Sequence, residues 1–106
     1  MKVPSAMWAK TVAFYRDGLG LRESNSSTTS VVFEFGSNRL WIDCVESMDQ
    51  AEIWLEVVTD QFANDEQRLM SAGAIRCDDV EPLPEGFEGF WIRNPAGLVQ
   101  LVTSTE

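Results

Sequence analysis

Histidine is absent from this 106-residue sequence, and cysteine occurs only twice. The first absence removes the commonest neutral nitrogen ligand for zinc, iron and nickel, and with it the side chain that ordinarily titrates nearest neutrality. The second excludes a disulfide framework and a cysteine-rich metal knuckle, so Cys44 and Cys77, both in strand-like segments, are expected as free, partly buried thiols. Bases are scarce as well: eight Lys and Arg stand against seventeen Asp and Glu, a formal net charge of −9. Such a balance argues against a nucleic-acid partner, whose phosphates demand Lys and Arg. No apolar run approaches the roughly 18 residues of a membrane span. No charged-then-apolar segment of the signal-peptide type opens the sequence. The expectation is a soluble, cytoplasmic protein with neither a membrane nor a nucleic-acid partner.

What is present suits one globular domain covering residues 1–106, with 44 % hydrophobic residues and a length sufficient for a core. The charge is unevenly spread. From Asp43 to Glu88 there are thirteen acids and only Arg68 and Arg76 as bases, whereas the remaining positions carry four acids and six bases. An ordinary acidic surface accounts for this, and so does an acidic cleft that attracts a cationic ligand.

Trp8, Val12 and Tyr15 recur at helical spacing after Pro4 and Ser5, which predicts a helix from about Ala6 to Asp17 with Gly18 as its left-handed stop. A polar stretch from Ser24 to Ser30 reads as a hairpin loop with edge-strand character at its ends. Val31 to Phe35 is a strand, Gly36-Ser37-Asn38 a turn, and Arg39 to Val45 the returning strand. In that strand Leu40, Ile42 and Cys44 share one face, and Trp41, Asp43 and Val45 the other. Glu46 to Gln50 connects to a strand over Ala51–Thr59, where Ile53, Leu55 and Val57 alternate with Glu52, Trp54 and Glu56. Asp60 is the expected cap of a second helix, about Gln61 to Ala72, which buries Phe62, Leu69 and Met70 and ends at Gly73. A short strand over Ala74–Asp78 and a loop over Val80–Gly86 lead into a closing hairpin. Its turn, Asn94-Pro95-Ala96-Gly97, places Pro and Gly where a tight turn wants them. The pattern reads as two copies of one unit, about 1–46 and about 51–106.

Ala13-Phe14-Tyr15-Arg16-Asp17-Gly18-Leu19-Gly20-Leu21, Leu69 to Gly73, and Asn94-Pro95-Ala96-Gly97 together resemble the vicinal oxygen chelate superfamily, which includes glyoxalases, extradiol dioxygenases and bleomycin-resistance proteins. The resemblance covers nearly the whole chain. It implies an α+β fold of paired βαβββ modules, whose curved mixed sheets enclose a ligand pocket. Only Met1 to Val3 precede the first helix, so the first strand of module one is expected to be missing and module one N-terminally shortened. An exposed sheet edge would then need cover, which predicts a homodimer with Met7 and Trp8 as candidate contacts.

Metal-dependent members place one ligand on each of four strands, usually histidine on the first strand of a module and Glu or Gln on the last. Here the module-two last-strand position falls on Gln100 if the turn is one residue short, and the module-one equivalent falls near Asp43. The module-two histidine position falls on Glu52 or Ile53, and that of module one has no counterpart. Oxygen donors alone suit Mg, Ca or Mn and need more ligands than these. No metal and no cofactor is therefore expected, and with the metal goes the Lewis-acid chemistry that the family's enzymes use.

Trp41, Trp54 and Trp91 lie in the middle of strands, where filling the core is the plain reading. Alternation nevertheless puts Trp41 on the face of Asp43 and Trp54 on the face of Glu56, and core faces seldom tolerate unpaired carboxylates. Trp41, Asp43, Trp54, Glu56, Trp91 and Gln100 are accordingly the candidate ligand-binding residues, and none is assigned a catalytic role. Aromatic faces and carboxylates suit a cationic or aromatic compound. The leading expectation is a metal-independent small-molecule binding protein of the bleomycin-resistance kind. The alternatives are a glyoxalase-related lyase, isomerase or dioxygenase with an oxygen-only metal site, and a degenerate copy of the fold whose pocket its own side chains fill.

Overall fold

Val3, Val31, Phe33 and Ile42 are each at most 4 % exposed and form the inner face of the first of two four-stranded sheets. The structure, a computed structural model, describes residues 1–105. The chain divides into two compact units, the first Met1–Ile53 and the second from Trp54 onward.

Unit one runs β1 (Lys2–Pro4), α1 (Ser5–Ala13), a π-helical turn (Phe14–Gly18), β2 (Glu23–Ser26), β3 (Ser30–Phe35) and β4 (Asn38–Val45). The sheet order is β1-β4-β3-β2, with β1 parallel to β4 and the other neighbours antiparallel. Trp8 and Tyr15 lean onto Val3, Val12, Val31, Phe33 and Ile42, and the Trp8 indole N–H donates to the Ile42 carbonyl at 2.9 Å. Trp8 is thus a core residue, whereas Met7 is 45 % exposed.

The expected gap at the first strand is corrected here. Lys2, Val3 and Pro4 pair with Asp43, Cys44 and Val45, and Val3 is 1 % exposed. Three residues suffice because all three are buried, and Pro4, which has no N–H to offer a ladder, stands at its end as the helix N-cap. The argument for a homodimer built on a missing strand falls away with it. A second correction concerns the helix stop: Gly20, at φ +68°, takes the left-handed conformation rather than Gly18. The wider π turn carries the helix past Gly18, and Leu19 N–H closes it by donating to the Phe14 carbonyl at 3.0 Å.

Unit two repeats the topology: β5 (Leu55–Thr59), α2 (Phe62–Ser71), β6 (Ile75–Arg76), β7 (Gly89–Arg93) and β8 (Val99–Ser104), in the order β5-β8-β7-β6 with β5 parallel to β8. Phe62 and Leu69 of α2 pack with Ala74 on Phe90, Ile92 and Val102. Met70, expected in the core, is 39 % exposed. Asp60 does not cap α2. The Thr59 hydroxyl accepts the Gln61 N–H at 3.0 Å and donates to the Asp65 carboxylate, so the start of the helix is held from one residue earlier. Leu55 and Val57, expected on a core face, are 45 % and 43 % exposed, because α2 lies over β7 and β8 rather than over the edge strand β5. The closing turn is as expected: Gly97 has φ +87° and donates to the Asn94 carbonyl at 2.8 Å, while Asn94 Oδ1 accepts the Ala96 and Leu98 N–H groups. Among the described residues no helix is long and apolar enough to cross a membrane.

Candidate functional site

Each sheet has one face toward its helix and one away from it, and strand register assigns every candidate residue to a face. In unit one, Val31 pairs with Ile42 and Phe33 with Leu40, all on the helix side. Alternation then turns Lys2, Trp41 and Asp43 to the opposite face, with Ser30 and Val32 beside them as the cross-strand partners of Asp43 and Trp41. Trp41 is 48 % exposed although it lies in the middle of β4, so its ring presents a broad apolar surface to solvent.

Asp43 is not an open carboxylate. Its Oδ2 accepts the Lys2 ammonium at 2.8 Å, and its Oδ1 accepts the Ser30 hydroxyl in a short hydrogen bond. The Lys2 and Asp43 side chains are 8 % and 24 % exposed, and a charge at that depth is tolerated only when paired. Neither Lys2 nor Ser30 stood out in the sequence. The signal was a polar residue alternating with Val3 in a strand too short to recognise.

The donor set around Asp43 does not fit a metal ion. A cation entering there would have to displace an ammonium group already bonded to the carboxylate. Among the described residues no group of three or more His, Cys, Asp or Glu side chains is placed to share an ion.

In unit two, Trp54, Glu56 and Trp91 lie on the face away from α2. Trp54 meets Trp91 edge to face, with ring centroids 5.2 Å apart. Trp91 is a core residue, 5 % exposed, packed with Cys77, Val99 and Leu101 and covered by Val80 and Leu83 from the loop before β7. Its indole N–H donates to the Glu81 carbonyl at 2.9 Å, and its backbone N–H donates to the Asp78 carboxylate at 3.0 Å. A ring with its only donor satisfied and its faces packed has nothing left for a ligand. That the acidic loop carries Val80 and Leu83 inward was missed, because in the sequence they read as isolated apolar residues among acids and prolines. Burial raises the Cys77 thiol above its ordinary value, partly offset by Arg93, which keeps it protonated and unreactive near neutrality.

Gln100 does not join Trp91. It pairs with Ile92 and Leu55, and Ile92 belongs to the cluster under α2, so Gln100 lies on the helix side. The β8 residue that points away from the helix, opposite Trp91, is Leu101, whose side chain has no donor atom. The structure therefore brings together Trp41 with Asp43 in unit one, and Trp54 with Glu56 and Trp91 in unit two.

No family model matches the chain, and no curated protein does either. Solved structures do. An NAD-dependent benzaldehyde dehydrogenase from Legionella pneumophila is 18 % identical, with 93 % of this chain and 91 % of that one covered and a TM-score of 0.62. A lactoylglutathione lyase from Agrobacterium tumefaciens is 18 % identical over 98 % and 90 % of the two chains, with a TM-score of 0.40. A glyoxalase/bleomycin resistance protein/dioxygenase superfamily member from Sphaerobacter thermophilus is 13 % identical over 99 % and 94 %, with a TM-score of 0.41. Identities this low bear on fold alone. Two successive βαβββ modules, each with its first strand parallel to its last, are consistent with the vicinal oxygen chelate fold that the sequence motifs resemble.

Proposed function

We propose that the protein binds a flat aromatic small molecule, without a metal and without a reaction of its own, on the unit-one sheet face around Trp41. The observation that carries this reading is the 48 % exposure of Trp41 in mid-strand, where a ring of that size is ordinarily buried. Val32, the cross-strand partner of Trp41, is 3 % exposed, so the indole ring itself is the apolar surface on offer, and the Lys2–Asp43–Ser30 cluster gives it a fixed polar border. Asp43 spends its charge on Lys2, so any preference for a cationic ligand rests on the indole face and on the field of a chain with net charge −9.

A titration with neutral and cationic planar compounds, read by tryptophan fluorescence and by melting temperature, tests this. Quenching and stabilisation are expected for at least one class, lost in Trp41→Ala and partly kept in Trp41→Phe. A panel that leaves both signals unchanged, or a response that survives Trp41→Ala, would overturn the proposal.

Unit two supports a different reading of its own face. Val80 and Leu83 already occupy the space over Trp91 and Leu101, which fits a copy of the module that is filled by its own side chains rather than one that takes a ligand.

A further inference from the structure

On the face that carries Trp41, strand alternation sets Arg39 on one side of the ring and Asp43 on the other, with Glu34 opposite Arg39 and Lys2 opposite Asp43. The two carboxylates already have bases of their own. Asp43 accepts the Lys2 ammonium at 2.8 Å, and Glu34 faces Arg22 at 3.6 Å, kept beside it by a backbone hydrogen bond from Glu34 N–H to the Arg22 carbonyl at 2.8 Å. Arg39 is exposed and, among the described residues, has neither an ion pair nor a hydrogen bond. The charge left over beside the indole is therefore positive, on a chain of net charge −9. At contact the local sign prevails, because charges spread over the rest of the surface are screened within about 10 Å at ordinary ionic strength.

We propose that the flat aromatic compound of the Trp41 face is an anion, in its simplest form an aromatic carboxylate, with its ring on the indole and its carboxylate on Arg39. The inference rests on the reading that Trp41 binds an aromatic ring, and it adds the sign of the substituent that ring carries. Alternate residues of a strand stand about 7 Å apart, a span that a bicyclic ligand and the arginine stem cover together. The guanidinium offers a planar fork of N–H donors that matches a carboxylate. An anion also leaves the Lys2–Asp43 pair undisturbed, whereas a cation drawn to Asp43 would compete with an ammonium already bonded there.

Naphthoate, naphthamide and naphthylmethylammonium share one ring system and differ in charge, and calorimetric titration gives their dissociation constants. For the wild type, naphthoate is expected to bind about fivefold more tightly than naphthamide, the scale of a well-formed exposed ion pair. Naphthylmethylammonium should bind no more tightly than the amide. Added NaCl should shrink the advantage of naphthoate and leave the amide unchanged. Arg39→Gln should bring naphthoate to the affinity of the amide without moving the melting temperature. Naphthoate no tighter than the amide in the wild type, an ammonium compound that binds best, or an advantage that survives Arg39→Gln overturns the inference. The aromatic reading then still stands if the amide binds and Trp41→Ala abolishes that binding. A set in which nothing binds, or in which Trp41→Ala binds as tightly as the wild type, overturns both.

Discussion

The two sheets share a strand order and differ in what lies on the face away from the helix. In unit one that face is polar at its centre, with an ion pair and a hydroxyl, and it leaves Trp41 open. In unit two the same face buries Trp91 in a cluster that Val80 and Leu83 pack against, while Glu56 stays exposed on the edge strand. One topology thus yields one face that carries a half-exposed tryptophan and another whose tryptophan has become core. The difference is made by side chains and by the loop between β6 and β7, not by the path of the strands. Each unit also keeps a helix-side cluster of its own, with Phe33 and Ile42 in one and Phe90 and Val102 in the other.

The largest effect should come from exchanging the two tryptophans for alanine. Trp91→Ala removes a ring buried in a packed cluster and is expected to cost about 3–5 kcal/mol in a denaturant titration. Trp41→Ala should cost about 1 kcal/mol or less, since its ring is half exposed. Equal costs would erase the distinction between an open and a closed face. Next in size, Leu83→Ala thins the cover over Trp91 and should destabilise by about 1–2 kcal/mol. It should also make tryptophan emission more accessible to acrylamide; unchanged quenching would show that the loop is not the cover. Thr59→Ala removes the hydroxyl that starts α2 and is expected to cost about 1 kcal/mol. Ser5→Ala at the start of α1, which has no side-chain cap, should cost little, and thermal melts of the two variants compare the helix starts directly.

The smallest effect is a pH dependence. The Cys77 thiol is raised above its ordinary value of 9.0 by burial. Between that value and the raised one the unfolded chain has lost the proton and the folded chain keeps it, so stability falls as pH rises through this window. Cys77→Ala should flatten the alkaline limb of a stability-against-pH curve, and an unchanged limb would show that this thiol does not set it.

The strands and helices were largely legible, because β-branched runs and turn residues such as Asn94 to Gly97 state their local preference plainly. The first strand was not. Lys2-Val3-Pro4 is too short to show a period, and only its parallel pairing with β4 makes it a strand. The faces of β4 were also legible, since Leu40 and Ile42 declare the core side. Gln100 was not legible, for a reason of register: placing it on the family's last-strand position required a turn one residue short, and a shift of one residue moves a side chain to the other face. The ladder with Ile92 sets that parity, and no local feature of the sequence encodes it. Trp91 and Trp41 looked alike as central tryptophans, because what buries Trp91 is a loop whose Val80 and Leu83 turn onto its cluster only on folding.

The π turn at Phe14–Gly18 bears on how this chain tolerates changes in length. Its widened loop holds one residue more than an α-turn, and the surplus lies outside the core: Phe14 is 58 % exposed while Tyr15 packs toward Phe33. A one-residue deletion there has somewhere to come from, since the turn can tighten to α geometry. A deletion in the regular helix before it would instead rotate Trp8 and Val12 off the sheet. The segment is a slack point in an otherwise fixed frame, where one residue can be lost without re-registering a strand.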